Sequence, residues 1–300
     1  MAIKYLAGDR IIGTTAERLA LTVENKSQDY AGILSTYSPE FMLKFDEGTG
    51  TPDNDGSSGD RNVVMGVTSS NPAWTTGYAT GGYAMRFDGT LSNSGWNSNS
   101  PKISWDQFQS GNSDNWTIIL LVKFHDSIPS DHLAGTFNDP SSNALSTGDF
   151  LTSGDGANRF GNSVHLGGSH PLYPSYTWDR SNNNTDLTPD VWQVIGISHA
   201  SNGVVTHYLD GSPDGSETMS TSGGDDLDGL KIHQASGVKD YDSFVFYTSV
   251  QSAATHAAVA AKLRTSTFTY PNIINGTIFE ESDTGEHYMW DGTNTWNKVT

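Results

Sequence analysis

Trp192-Gln-Val-Ile-Gly-Ile-Ser-His199, the polar gap Ala200-Ser-Asn-Gly203 and then Val204-Val-Thr-His-Tyr-Leu-Asp210-Gly211 decide how this chain folds. Val, Ile and Tyr suit a pleated, half-buried surface, while Asn-Gly and Asp-Gly supply the positive backbone angles of tight turns. The stretch therefore predicts a β-hairpin closed by a second turn.

The rest of the sequence reads in the same idiom. Hydrophobic residues make up 35% of the 300 and charged residues only 17%, with 32 Gly. Ser, Thr, Asn and Gly fill the remainder, as many short strands joined by turns require; long amphipathic helices would need more Ala, Leu, Glu and Lys. The fold class predicted is all-β. Val250 to Arg264, Ala-rich with Lys262 and Arg264 in its last turn, is the one clear helix.

Working outward from the hairpin, further motifs fall in order. Phe41-Met-Leu-Lys-Phe45 leads into Asp46-Glu-Gly-Thr-Gly50 and Asp53-Asn-Asp-Gly-Ser-Ser-Gly59. Gly81-Gly-Tyr-Ala-Met-Arg-Phe87-Asp88-Gly89 follows Trp74. Trp116-Thr-Ile-Ile-Leu-Leu-Val-Lys-Phe124 and Asp240-Tyr-Asp-Ser-Phe-Val-Phe-Tyr-Thr-Ser-Val250 come later. Together with the Trp-led hairpin, these motifs resemble the laminin-G-like jelly rolls of the concanavalin A-like lectin superfamily. That resemblance implies a two-sheet antiparallel jelly-roll sandwich, with the Trp116 segment as its long central strand and the Asp240 segment as its closing strand.

Three regions are expected. Residues 1–36 read as an N-terminal docking or oligomerisation arm, with two short strands around a Gly-Asp turn and a helical turn opened by the capping-box pair Thr14 and Glu17. Residues 37–268 read as the sandwich. Residues 269–300 read as a three-stranded β-meander built on Thr277–Glu281, Glu286–Trp290 and Thr295–Val299. Both ends are similar to short terminal modules of structural proteins from tailed phages and archaeal viruses. Two small β appendages with open edges would seek partners, which predicts a homo-oligomer and contacts with other virion proteins.

The formal net charge is −18, from 34 acidic residues against 16 Lys and Arg. Such a field repels phosphate backbones and anionic membranes, so nucleic acid is not an expected partner. Zero Cys excludes disulfides, zinc–thiolate sites and thiol catalysis. The opening decapeptide has no apolar h-region, and nowhere do 18 apolar residues run together, so neither a secretory signal nor membrane insertion is expected. A lectin-like fold without an export signal suits a virion surface or another extracellular setting reached by lysis.

For chemistry, Glu281-x-Asp283-x-x-Glu286 matches by letters the catalytic pattern of laminarinase-type glycoside hydrolases. Those acids sit along one strand about 5–5.5 Å apart, whereas Asp283-Thr284-Gly285 is turn chemistry that places the two glutamates about a hairpin tip. No catalytic residue is expected. The lectin resemblance implies Ca²⁺ on rim loops, with Asp88, Asp240 and Asp242 as first candidates and Asp53 and Asp55 as second. Each of these aspartates also suits plain turn formation. Glycan contact needs aromatic faces beside polar donors. Two loops qualify: one around Trp96, and one carrying His165, His170, Tyr173, Tyr176, Trp178 and Arg180. The same aromatics could cover the core or a neighbouring subunit. The nine His show no metal-ligand spacing.

Three readings of function follow. The first is a non-enzymatic virion surface protein (fibre, spike or decoration subunit) that attaches to host glycans. The second is a purely structural coat or surface-layer component. The third is a polysaccharide-active enzyme or its carbohydrate-binding module.

Overall fold

The computed structural model describes residues 4–6, 10–21, 23–50, 52–57, 62–64, 73–87, 102–104, 115–125, 132–137, 148–153, 160–166, 177–219, 229–232, 238–269, 273–293 and 295–299. The chain divides into two compact units. Gln28–Arg264 form one, and Met1–Ser27 with Thr265–Thr300 form the other.

The larger unit is an all-β antiparallel sandwich. Its eight-stranded sheet is built on Trp116–Phe124, which pairs with Trp192–His199 on one side and Lys239–Tyr247 on the other. Val204–Leu209 and Ser212–Thr218 extend the first side; Phe41–Leu43, Tyr83–Phe87 and Ala73–Thr76 complete the second. The expected hairpin is present, with His199 opposite Val205. Its closing turn places both Asp210 (φ +48°) and Gly211 (φ +82°) in the left-handed region, the pair of angles a two-residue hairpin turn matched to strand twist demands. A seven-stranded sheet runs in the order Thr177–Asn182, Phe160–Leu166, Gly148–Ser153, His132–Phe137, Gly229–Ile232, Lys102–Ser104, Asn62–Val64.

Both faces of the central strands are apolar, so the eight-stranded sheet is covered on both sides. Ile118, Leu120, Val122, Ile195, Ile197, Phe244 and Phe246 alternate onto the inner face, where Phe41 meets Phe244 edge-on at 6.0 Å. Ile119, Leu121, Val194, Val245 and Tyr247 alternate onto the outer face and pack with Ile33, Val259 and Leu263 of two helices. These helices are α2 (Tyr30–Tyr37) and α3 (Ala253–Leu263); α1 (Thr15–Ala20) belongs to the smaller unit. Helix α3 was expected. Helix α2 was not, because Gly32, Ser35 and Thr36 give it poor intrinsic propensity. Packing of Ile33 and the N-cap Asp29, which accepts from the Gly32 N–H and pairs with Lys262 at 2.5 Å, hold it in place.

The smaller unit joins the two ends of the chain, which the expected division treated as separate appendages at 1–36 and 269–300. Its five-stranded sheet runs Lys4–Leu6, Arg10–Gly13, Ile278–Glu281, His287–Trp290, Trp296–Val299. Arg10–Gly13 pairs in parallel with Ile278–Glu281, and Val23–Ser27 pairs with Thr265–Thr269. Arg10–Gly13 and Ile278–Glu281 thus pair within one chain, while Lys4–Leu6 and Trp296–Val299 are the outer strands of this sheet. Ile11, Phe279, Trp290 and Trp296 form the core.

The capping box of α1 is present as read, with Thr14 accepting from Glu17 N–H and Glu17 accepting from Thr14 N–H. Asp283 adds a distant cap: its carboxylate accepts from the Thr15 N–H at 3.0 Å, across 268 residues of sequence. Arg18 donates from Nε to Glu281 at 2.8 Å and lies 4.0 Å from the Tyr288 ring centroid. Glu281 is 1% exposed. Arg18→Met therefore leaves the buried carboxylate with Thr284 but without its cation, and should destabilise this unit by about 2 kcal/mol, the scale of one hydrogen bond to a charged group. Amide exchange should quicken in Ile278–Trp290 and stay unchanged in Trp116–Phe124; equal acceleration in both would contradict this account.

Candidate functional site

Three of the sequence-predicted sugar contacts come together on the seven-stranded sheet. Phe160–Leu166 pairs with the edge strand Thr177–Asn182 so that His165 lies opposite Trp178, and Ser163 opposite Arg180. Directly opposed residues of antiparallel strands share a face, and positions two apart on one strand do so as well. His165, Ser163, Trp178 and Arg180 therefore occupy one face of this ladder. Asp149 of the next strand lies opposite Ser163, and Asn182 opposite Gly161, on the same face. The register thus places His165, Ser163, Trp178, Arg180, Asp149 and Asn182 at neighbouring backbone positions beside one edge of the sheet, and residues of these types suit a polar, ring-shaped ligand. Trp96, His170, Tyr173 and Tyr176 lie outside the described residues.

The calcium candidates have other partners. Asp240 is fully buried and takes Arg86 side-on, Nε to Oδ1 at 2.7 Å and Nη2 to Oδ2 at 2.9 Å. Lys123 Nζ stands 3.2 Å and His125 Nε2 2.7 Å from Oδ2. Burial alone would raise this carboxyl; the hydrogen bonds from Arg86 and His125 outweigh it and hold the group below its ordinary range.

Asp242 sits at a β-bulge, where pairing with Trp116–Phe124 shifts between Tyr241 and Ser243. The extra residue lets both Asp242 and Ser243 reach Tyr30 of α2, which lies 3.1 Å from Asp242 Oδ1 and 3.0 Å from Ser243 Oγ. The Tyr78 N–H donates to Asp242 at 2.6 Å, and Gln28 donates as well. Burial dominates here and pushes the Asp242 carboxyl up to about 6. Asp55 pairs with Lys44 at 3.1 Å, and the Asp53 N–H donates to Glu47. Cationic side chains and N–H donors around Asp240, Asp242 and Asp55 do not fit Ca²⁺, which takes 6–8 oxygens. Among the described residues no group of three or more His, Asp or Glu is arranged to hold a metal. Asp88 lies outside the described residues.

Two further groups have local roles. Glu281 and Glu286 flank the turn Ser282–Gly285 in the smaller unit, the first held by Arg18 and the second by Lys298 at 2.5 Å and Tyr288 at 2.6 Å. In the sandwich, His256 of α3 stacks on Tyr208 at 3.6 Å, and its Nε2 lies 2.9 Å from Ser198 Oγ. Ser198 is in turn 2.8 Å from Thr117 Oγ1. This Ser–His contact is sealed between sheet and helix, all three side chains being buried, and it positions α3.

Arg86, Lys123, His125 and Trp192 carry no motif that marks them in the sequence as parts of a site. One signal was available: Lys123 is the single charge in the apolar run Trp116–Phe124. A lone cation inside a long buried strand calls for a carboxylate partner, and Asp240 is that partner.

No family model matches this sequence, and no curated protein matches it. Solved structures share its fold. The binding domain of botulinum neurotoxin serotype G aligns with a TM-score of 0.51 at 11% identity, over 74% of this chain and 50% of that domain. The binding domain of Paraclostridial Mosquitocidal Protein 1 aligns with a TM-score of 0.50 at 11% identity, over 84% of this chain and 63% of that one. This chain spans about half to under two thirds of those domains, and at such identities the likeness is one of fold. The class so defined is an all-β antiparallel sandwich.

Proposed function

We propose that this chain is a non-enzymatic attachment protein whose sandwich binds a cell-surface glycan, with the sugar on the face that carries His165, Trp178 and Arg180. The observation that carries this reading is the register that sets His165 opposite Trp178 and Arg180 opposite Ser163 at a sheet edge. Trp at such a position supplies an apolar plate for sugar C–H groups, and His, Arg, Ser and Asp supply hydroxyl partners. The fold's occurrence in toxin domains named for binding supports the same reading.

A place on a virion surface is part of the proposal, supported by the resemblance of both chain ends to viral structural modules. Leu19, Ile274, Met289 and Val299 are exposed apolar side chains of the smaller unit, and support its use in docking to a particle or another copy.

The test is a glycan screen of the full chain, in millimolar Ca²⁺ and again with chelator. A defined sugar should bind, and Trp178→Ala should weaken it at least tenfold. Chelation should leave binding unchanged, since Asp55, Asp240 and Asp242 are engaged by protein donors. No binding by the folded chain, or full binding by Trp178→Ala, would favour the structural-coat reading. Binding lost on chelation would restore the calcium expectation.

A further inference from the structure

A second row of residues crosses the outer face of the eight-stranded sheet. Arg86 lies opposite Asp240, Asp240 opposite Lys123, and Lys123 opposite Trp192. Directly opposed residues project to one side. Lys123 stands between Val122 and Phe124, both committed to the inner core, and Trp192 packs against the outer cluster. The row therefore faces away from the sandwich interior, and it spans three strand spacings, about 14 Å. His125 joins it from the end of the Trp116 strand, 2.7 Å from Asp240 and 3.0 Å from Asp190.

An ion pair that serves only the fold needs one cation for one carboxylate. Here Asp240 meets three basic side chains, in a chain with less than half as many Lys and Arg as Asp and Glu. A carboxylate offers about four lone-pair directions. Arg86 Nε meets Oδ1, while Arg86 Nη2, Lys123 Nζ and His125 Nε2 crowd onto Oδ2, more donors than that oxygen's two lone pairs can serve in full. The donors left over on Arg86 Nη1 and the Lys123 ammonium have no further claim from Asp240. Asp240 is fully buried while the Arg86 side chain is 37% exposed, so the anion lies beneath and the cationic edge faces outward. Lys123 Nζ also stands 4.8 Å from the Trp192 ring centroid, which puts a cation and an aromatic plate side by side. Asp190, with its side chain 70% exposed, pairs with the far ring nitrogen of His125 at 3.0 Å.

We propose that this row is a binding site for an acidic saccharide, a sugar unit carrying a carboxylate or sulfate ester. Its acid group rests on Arg86 and Lys123, and an adjoining pyranose ring lies against Trp192. Asp240 is the positioning residue: it pre-orients the guanidinium fork, whose planar geometry suits an oxyanion. Trp192 favours a sugar over a bare anion, because inorganic sulfate has no apolar face to offer it. This site is on the other sheet from the His165–Trp178 face and stands or falls separately.

The test is calorimetric titration of the full chain with three probes: a sulfated heparin-derived hexasaccharide, a hexagalacturonate and neutral maltohexaose. At least one acidic probe should bind ten times or more tighter than maltohexaose, and should weaken as salt is raised. Lys123→Met, which keeps the aliphatic stem and leaves Asp240 with Arg86 and His125, should weaken it at least fivefold. Trp192→Leu should do the same, and Trp178→Ala should leave it unchanged. Equal binding of the neutral probe, absence of acidic binding, or loss with Trp178→Ala alone would overturn the proposal. So would full displacement by inorganic sulfate together with an inert Trp192→Leu. If Trp192→Leu does not fold, Lys123→Met decides.

Discussion

The sandwich should lose stability by several kcal/mol as the pH falls from 7 to 4, with two buried histidines as the cause. Burial holds His256 down to about 3 and His207 down to about 4, although Asp214 favours the charged form of the latter. In the unfolded chain both titrate near 6.5. Below that pH the unfolded state gains protons that the native state refuses, so stability falls with pH. Asp242 works the other way. Its native carboxyl is pushed up to about 6, so it takes a proton before the unfolded chain does and stabilises the fold as the pH drops through 6. Two histidines against one aspartate leave a net slope of about one proton, or roughly 1.4 kcal/mol per pH unit. Below the ordinary carboxylate range the gain from Asp242 ends. Asp240, whose native carboxyl is held low, then adds to the loss. Urea midpoints measured at intervals from pH 7 to 4 check the slope. His256→Gln should flatten it, and Asp242→Asn should steepen it from pH 6 downward. A midpoint that does not move between pH 7 and 5 would contradict the assignment.

Gly196→Ala should cost about 3 kcal/mol, the upper end for one methyl forced into a packed core. Gly196 lies mid-strand, opposite Ile119 and Tyr208. A Cβ there would come 2.6 Å from His256 Nδ1 and 2.8 Å from its Cε1. The imidazole cannot retreat, because Tyr208 stacks on one side and Ser198 engages Nε2. The missing side chain is thus what admits α3 to the sheet. Glycine in a strand interior marks such a close approach. The added methyl should loosen α3, and amide exchange in Ala253–Leu263 should report it. His256→Ala opens room for the methyl, so the double variant should lose much less than the sum of the two singles. Strict additivity in that cycle would show that the two side chains do not collide.

Local features were legible before any coordinates. The Trp192 hairpin, its Asp210-Gly211 turn, the Trp116 and Asp240 strands, α3, and the Thr14–Glu17 capping box all depend on residues close in sequence. Turn angles, strand alternation and caps are properties of short windows. Helix α2 escaped notice because its stability comes from packing against the outer sheet face rather than from its own residues.

The candidate face was legible only as residue types. Trp178, His165 and Arg180 were named from their residue types, but nothing in the sequence placed two of them on facing positions of neighbouring strands. The letters around Asp240 suggested a metal ligand, and its neighbours across two strands are cations. Side-chain facing depends on strand register, and a slip of one residue sends every side chain to the opposite face. That register is settled by the whole sheet.

The sequence by itself determined that this chain makes an antiparallel sandwich, where several of its strands and turns fall, and that it carries no thiol chemistry. Only the tertiary structure decided that the two chain ends close into one unit through Arg10–Gly13 and Ile278–Glu281. It also decided that Arg86, Asp240, Lys123 and Trp192 stand in a single row. The physical reason is range: turns and caps are fixed by a few neighbouring residues, whereas these pairings join segments far apart in sequence and form only when the core beneath them is complete.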